Sequence, residues 1–180
     1  MKNLTPIREH LNRSRAHLLK TAQEIPDDRW RESPGEGGWS AGEVIAHLTM
    51  AEDRIIGGAM RVLQASPEPV PLLKRIHLPL ALTTFRGSKV KSPIPLDLDL
   101  VSEKPAALDR LSATRKATLR FIESTEGRDL SAYRFPHPFF GSLNIYDWFR
   151  TIGYHELRHE KQIREIVENF HEFSKAAQGL

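Results

Sequence analysis

Apolar residues recur every three or four positions in four separate stretches of the chain, which is the spacing of one face of an α-helix. The pattern predicts helices over about 5–24, 41–65, 104–124 and 145–172. Polar and charged residues fill the other positions of each stretch, as in amphipathic helices that bury one side. The sequence has no convincing series of strands, and the aromatic segment 133–141 is interpreted as a loop.

Start signals precede three of these stretches. Thr5 is suited to cap the first helix, with Pro6 at a position where a missing N–H costs nothing. Ser40 and Glu43 form an S-x-x-E capping box ahead of the second helix. Asn144, with an acidic residue three positions later, opens the fourth. The caps agree with the helix boundaries that the apolar pattern predicts.

Four amphipathic helices predict an all-α fold, and the economical arrangement is a four-helix bundle. Short loops make the first and second helices antiparallel, and likewise the third and fourth. The connection 66–101 is long enough to cross over the ~38 Å length of the second helix. The second and third helices are therefore expected to run parallel, in up-down-down-up order, with residues 1–180 forming a single domain.

The connection 66–101 differs in composition from the rest of the chain, because it holds six of the twelve prolines. It also carries basic residues with no acidic residue between Pro69 and Leu96, namely Lys74, Arg75, Arg86, Lys89 and Lys91. The simplest interpretation is a solvated loop. The functional interpretation is a lid that partly shields a site and attracts an anionic substrate.

Composition narrows the functional classes. The 180 residues include no cysteine, which excludes disulfide scaffolds, thiol nucleophiles and thiolate metal sites, and fits a cytoplasmic location. The net charge is only +3 despite a pI near 9.3, so nucleic acid is not the expected partner. No stretch approaches the ~18 apolar residues of a membrane helix, and the first residues lack the apolar core of a signal peptide.

Three histidines are the candidate chemistry. His155 and His159 stand one helical turn apart within the apolar stripe of the fourth helix. Such a pair alone is better explained by two partly buried, hydrogen-bonded rings than by a metal site. His47 lies on the inward side of the second helix, and facing helices in a bundle are ~8–10 Å apart, so a third imidazole can meet the pair. Three neutral imidazoles would bind one face of a metal ion and leave other positions open, as in catalytic sites.

Three segments resemble the DinB/YfiT-like superfamily. They are W-S-A-G-E-V-I-A-H-L at 39–48, H-P-F-F-G-S-L at 137–143 and H-E-L-R-H-E-K-Q-I at 155–163, in the expected order. The resemblance covers most of the chain and weakens across 66–101. It implies an up-down-down-up four-helix bundle with a metal site, and its pattern assigns the ligands to His47, His155 and His159.

The resemblance also implies a function. Relatives in this superfamily include thiol-dependent S-transferases, a thiol-dependent isomerase and predicted hydrolases. The expected activity is therefore metal-dependent hydrolysis or thiol transfer on a small molecule. The expected cofactors are one divalent ion, zinc or nickel, and a low-molecular-weight thiol, and a homodimer is a family-level expectation. No general base stands out, so a metal-bound water or thiolate is the expected nucleophile.

Two other functions stay open at this point. The first is a non-enzymatic metal-binding, stress-associated protein that acts through an oligomer interface. The second is a basic binding module, whose binding would weaken steeply with salt. Metal held by histidine also predicts a pH dependence. Because an ordinary imidazole titrates near ~6.5, stabilisation by the metal is expected to shrink between pH 8 and pH 5.

Neighbouring residues have functional and structural interpretations. Glu43 either orients the ring of His47 or only completes the capping box, which is favoured. Trp39 either lines the pocket mouth or packs on the helix start, which is favoured. His137 is interpreted as structural, and Tyr154 as a candidate hydroxyl donor. Two acidic residues of the fourth helix are expected to be solvated or to lie between helices, namely Glu156 and Glu160.

Overall fold

Four long helices make up most of the computed structural model, which describes residues 3–35, 37–67, 79–84 and 95–178. They are α1 (Thr5–Gln23), α2 (Ala41–Val62), α3 (Lys104–Ser124) and α4 (Ile145–Gln178). All four lie where the apolar pattern predicts them, and α4 continues beyond its predicted end. Within the described residues, no helix is long and apolar enough to cross a membrane.

The start signals are confirmed for α2 and wrong in detail for α1. The Glu43 N–H donates to Ser40 Oγ at 3.2 Å, and the Ser40 N–H donates to Glu43 Oε2 at 2.7 Å, which completes the capping box. Thr5 does not cap α1, because it is already the first helical residue. Its N–H instead donates to the side-chain oxygen of Asn3 at 2.9 Å. Asn144 caps α4 as predicted, accepting the Asp147 N–H at 3.0 Å.

The aromatic segment before α4 forms a hairpin, and its interpretation as a loop was wrong. Strand β1 (Arg134–His137) pairs antiparallel with β2 (Gly141–Asn144). Each strand has only four residues and β1 contains a proline, so the alternation that reveals a strand in sequence is too short to recognise. Gly141 begins β2 with a φ of +68°, in the left-handed region that glycine adopts without strain.

The order of the helices is up-down-down-up, as the chain's loops predicted. α1 and α4 run parallel, because contacts advance along both together: Ser14 donates to Glu156 at 2.5 Å and Thr21 donates to Glu160 at 2.8 Å. α2 and α3 pack side by side, and Ile45 near the start of α2 shares a core cluster with Ala107 near the start of α3. The second and third helices are therefore parallel.

The two ends of the connection between α2 and α3 lie at opposite ends of the bundle. α2 ends beside the hairpin, whereas the chain re-enters α3 at the opposite end, where Trp30 Nε1 donates to the Ser102 carbonyl at 3.1 Å. Within the connection, the turn Leu80–Thr84 packs on α4, and Lys161 Nζ donates to the Thr84 carbonyl at 3.3 Å. The predicted basic lid residues lie outside the described residues: Lys74, Arg75, Arg86, Lys89 and Lys91.

Two apolar clusters fill the interior. The cluster that includes the start of α2 contains Leu18, Ile45, Leu48, Leu111 and Ile163, among others. The cluster next to the hairpin contains Leu11, Ile56, Ile122, Phe149 and Ile152, among others. Between them every helix contributes one buried charged residue, and we call this set the charged layer: Arg15 of α1, Glu52 of α2, Arg115 of α3 and Glu156 of α4.

Adjacent glycines of α2 provide a matched test of this packing. A Cβ on Gly58 would come within 2.8 Å of the Phe135 ring, which the parallel Trp148 ring holds in place at 4.4 Å between centroids. A Cβ on Gly57 would meet nothing closer than 3.6 Å. Gly57→Ala should therefore stabilise the protein by about 0.5–1 kcal/mol through helix propensity. Gly58→Ala should destabilise it by about 1–3 kcal/mol through overpacking.

Urea denaturation of both variants measures the difference. Equal stabilisation by the two substitutions would contradict the close packing of the hairpin on α2. The comparison isolates the contact with Phe135, because both substitutions make the same change to the helical backbone.

Candidate metal centre

The antiparallel packing of α2 on α4 brings the three predicted histidines together. His47 lies in the second turn of α2 and faces α4, where His155 and His159 occupy successive turns. The Nε2 atoms of His47 and His155 are 3.2 Å apart, and those of His159 and His155 are 3.0 Å apart. One nitrogen from each ring lies within 4.8 Å of the others, so three potential ligands converge on one point.

Hydrogen bonds alone cannot give each of these three nitrogens a suitable partner. Each neutral imidazole nitrogen carries either one proton or one lone pair. His155 Nε2 faces two other Nε2 atoms, so it can donate to one of them or accept from one, but it cannot make both bonds well. A cation that receives all three lone pairs removes the conflict. The donor set therefore fits a metal ion better than it fits a hydrogen-bonded cluster of rings.

The separations also fit a metal ion in size. Zinc–imidazole bonds of about 2.0–2.1 Å with angles between 90° and the tetrahedral value place neighbouring nitrogens roughly 2.9–3.4 Å apart. The two separations of 3.0 and 3.2 Å fall inside this range. Three imidazoles without a carboxylate or thiolate suit borderline ions such as zinc, nickel and copper.

Burial keeps the imidazoles of His47 and His155 neutral. His47 is 4% exposed and His159 is 8% exposed, whereas His155 is half-buried. Burial lowers the pKa of His47 to about 4. Burial lowers the pKa of His155 well below its usual value, and the charges that His159 and His47 would carry lower it further. At neutral pH these two rings therefore have the lone pairs that a metal requires.

Two side chains around the cluster set its orientation and cover it. With its amide oxygen facing the ring, Gln162 accepts from His159 Nδ1 at 2.8 Å, which leaves the lone pair on Nε2 pointing toward the other histidines. The Trp39 ring lies 5.0 Å from His47 and stacks parallel to His159 at 6.4 Å between centroids. Trp39 thus lines the site, although the sequence favoured a purely structural role.

The other candidate residues lie beside the cluster or away from it. Glu43 is engaged in the capping box, and His47 Nδ1 is buried with no hydrogen-bond partner among the described residues. His137 packs on Trp148 at 4.7 Å, and burial lowers its pKa to about 4. Tyr154 packs against His10 of α1 at 4.5 Å between centroids.

Sequence reasoning missed Gln162 and most of the charged layer. Gln162 follows His159 by three positions, a spacing at which side chains on a helix meet, so that signal was present. The members of the charged layer also share a signal, because each follows a buried apolar residue by four positions and so lies on the inner stripe of its helix. The pairs are Leu11 and Arg15, Leu48 and Glu52, Leu111 and Arg115, and Ile152 and Glu156.

Fold and site together define a four-helix-bundle protein with three convergent histidines that are able to hold a metal. Residues 10–163 match the family model of the DinB superfamily. The chain belongs to the DinB superfamily, as the resemblance of its helix segments predicted.

Similar proteins support the family and the fold. The chain is 28% identical over 159 residues to "Uncharacterized protein YuaE" of Bacillus subtilis (strain 168), and the match covers 87% of this chain and 94% of that protein. Among solved structures, the chain resembles "TT2238, a four-helix bundle protein" with a TM-score of 0.57 and 23% identity. That match covers 90% of this chain and 98% of the other, and it shows a shared fold.

Proposed function

We propose that this protein is a metal-dependent enzyme that binds one divalent ion through His47, His155 and His159 and acts on a small molecule by hydrolysis or thiol transfer. The observation that carries the proposal is the position of His155 Nε2, which lies 3.2 Å from His47 Nε2 and 3.0 Å from His159 Nε2. Hydrogen bonds cannot satisfy all three nitrogens in this arrangement. Three protein ligands leave at least one coordination position for solvent or substrate, which distinguishes catalytic from structural sites.

The chain's own residues have separate roles in this proposal. The two buried rings and His155 hold the ion, and Gln162 fixes the tautomer of His159. Trp39 excludes water from the side of His47 and His159. A divalent ion bound there supplies Lewis-acid chemistry, which lowers the pKa of bound water or stabilises a thiolate. Neutral ligands support this chemistry because they leave the charge of the ion largely uncompensated.

A paired activity assay tests the proposal. The protein loaded with zinc or nickel is screened for hydrolysis of activated esters and amides, and for transfer of small thiols to electrophiles. His47→Ala should lose at least about 100-fold in turnover, since removal of a ligand disrupts the ion and its orientation together. His171→Ala is the matched control, because His171 is exposed on α4 and outside the cluster.

The outcomes distinguish an enzyme from a protein that binds the metal without catalysing a reaction. Turnover that requires the metal, falls in His47→Ala and persists in His171→Ala supports the proposal. A protein that binds the metal but turns over neither substrate class supports the non-enzymatic alternative. Turnover that survives in His47→Ala would overturn the assignment of the site.

Loss of the Gln162 acceptor should weaken metal binding. Gln162→Leu is expected to reduce affinity for zinc by about 10–100-fold, because His159 then loses the partner that fixes its ring and tautomer. Gln162→Glu keeps an acceptor and should retain most of the affinity. Gln64→Leu, at an exposed position after α2, is the control for the substitution itself. Competition with a chromophoric chelator measures all three, and equal affinities for Gln162→Leu and Gln64→Leu would refute the role.

A further inference from the structure

The charged layer is unusual because all four of its residues are almost fully buried. Arg15, Glu52, Arg115 and Glu156 are between 1% and 6% exposed. Charged side chains are almost never this buried unless they are paired. Here two guanidinium groups balance two carboxylates, and the four residues come from four different helices.

The contacts form a closed ring. Glu52 accepts from Arg15 Nη2 at 2.7 Å and from Arg115 Nε at 2.8 Å. Glu156 accepts from Arg15 Nε at 2.6 Å, pairs with Arg115 Nη2 at 3.0 Å, and accepts from Ser14 Oγ at 2.5 Å. Each carboxylate therefore contacts both arginines, and each arginine contacts both carboxylates.

The arginines also tie α1 and α3 directly to each other. Arg15 Nη1 donates to the Leu111 carbonyl of α3, and Arg115 Nη1 donates to the Leu11 carbonyl of α1. These bonds fix the axial position of α1 relative to α3 as well as the distance between the two helices. A slide of α1 or α3 by a single turn would break these bonds and the ion pairs that its arginine makes in the layer.

Stability alone does not account for such a layer. A buried ion pair repays its desolvation only with excellent geometry, and apolar side chains of similar volume often stabilise as well or better. Apolar packing, however, is non-directional and tolerates small shifts between helices. Charge-assisted hydrogen bonds have preferred lengths and angles, so they specify one alignment of the four helices.

The layer lies next to the histidine cluster along the chain. Glu156 directly follows His155 in α4, and Glu52 follows His47 by five residues in α2. A metal site requires its ligands to be held within about 0.5 Å of the productive geometry. The same two helices that carry the histidines are thus joined, through both arginines, at the neighbouring level of the bundle.

We propose that Arg15, Glu52, Arg115 and Glu156 are positioning residues that align α2 with α4 and so set the separation of His47 from His155 and His159. This inference rests on the proposed metal site. It assigns the layer a role in the affinity and coordination geometry of the metal rather than in the amount of stability. None of the four residues is a candidate metal ligand, so they act through the helices that carry the histidines.

Replacement of the whole charged layer distinguishes an effect on the alignment of the helices from an effect on the stability of the protein. The variant Arg15→Met/Glu52→Leu/Arg115→Met/Glu156→Leu removes all four charges together and leaves none unpaired. Ser14 retains its bond to the Leu11 carbonyl at 3.0 Å. The measurements are the zinc dissociation constant, the visible absorption spectrum of the cobalt-substituted protein, and the urea midpoint of the metal-free protein. Ile122→Ala is the control, because it weakens the hairpin-side cluster on α3 without removing a charge.

The expected result is a urea midpoint equal to or above that of the wild type, together with zinc affinity at least tenfold weaker and an altered cobalt spectrum. Ile122→Ala should lower the midpoint and leave the spectrum and affinity unchanged. Wild-type affinity and spectrum in the folded quadruple variant would overturn the proposal. If the quadruple variant does not fold, Glu52→Gln is compared with Ile122→Ala, and equal metal affinity in those two overturns it as well.

The same measurements distinguish a failure of the alignment role from a failure of the proposed metal site. If the wild-type protein binds no zinc or cobalt, the metal site itself is refuted and the alignment role with it. If the wild type binds metal and His47→Ala does not, while the quadruple variant binds as the wild type does, only the alignment role is refuted.

Discussion

Alanine in place of Glu52 is expected to lower the free energy of unfolding by about 3–5 kcal/mol, the cost of removing one partner from a buried ion pair. Glu52 accepts from Arg15 at 2.7 Å and from Arg115 at 2.8 Å. Its loss leaves two guanidinium groups against one carboxylate, away from water. Because a domain of this size is stable by only about 5–15 kcal/mol, the substitution should remove a large fraction of the total.

Glu168→Ala is the matched control for this measurement. Glu168 is exposed on α4, and exposed substitutions usually change stability by less than about 0.5 kcal/mol. Urea denaturation of the two variants and the wild type, followed by circular dichroism, gives the comparison. Similar small effects in both variants would show that the charged layer is accessible to water.

Metal-free protein should lose stability as pH falls from about 6.5 toward 4. The pKa of His47 is lowered to about 4 in the folded state by burial, whereas an unfolded histidine titrates near ~6.5. A lowered folded pKa means that the stabilisation is complete above the unfolded value and is lost as pH falls through the folded one. One unit of pKa difference corresponds to about 1.4 kcal/mol, so His47 alone should lower the free energy of unfolding by about 3 kcal/mol over this range. The pKa of His155 is lowered as well, which adds to the loss.

Because burial lowers the pKa of His47, the stabilisation by the metal should be lost at a lower pH than the sequence predicted. Protons compete with the ion only where the folded, metal-free rings can take them up. With the pKa of His47 at about 4, the gap in melting temperature between metal-loaded and metal-free protein should stay nearly constant from pH 8 to pH 5. It should narrow below pH 5, where His47 takes up a proton in the folded protein.

Thermal melts of both forms at fixed total metal, from pH 8 to pH 3.5, measure this window. A gap already halved at pH 6 would mean that the rings are solvated and titrate with their ordinary pKa. A gap that persists undiminished at pH 3.5 would mean that histidine does not hold the ion.

The fold was largely predictable because it depends on long, regular signals. Each helix repeats its apolar spacing over several turns, and the capping box at Ser40 marks one start without ambiguity. The crossover followed from the length of 66–101. The hairpin was not predictable, since its strands are four residues long and are set by packing of Phe135 on Gly58 and Trp148.

The site was predictable only in part, for a physical reason. Spacing identified His155 and His159, and the inward side of α2 identified His47, because a helix fixes which side chains share a face. The convergence of their Nε2 atoms depends on how two helices are aligned. That alignment is set by long-range contacts such as those of Arg15 and Arg115 with Glu52 and Glu156, which a helical pattern does not encode.

Metal content of the purified protein decides whether His47, His155 and His159 hold a divalent ion. The protein is equilibrated with zinc, freed of unbound metal and analysed by elemental mass spectrometry, alongside His155→Ala/His159→Ala and the His171→Ala control. Circular dichroism confirms that each variant is folded. We expect one zinc per chain in the wild type and in His171→Ala, and almost none in the double variant. Undiminished zinc in the folded double variant would contradict it.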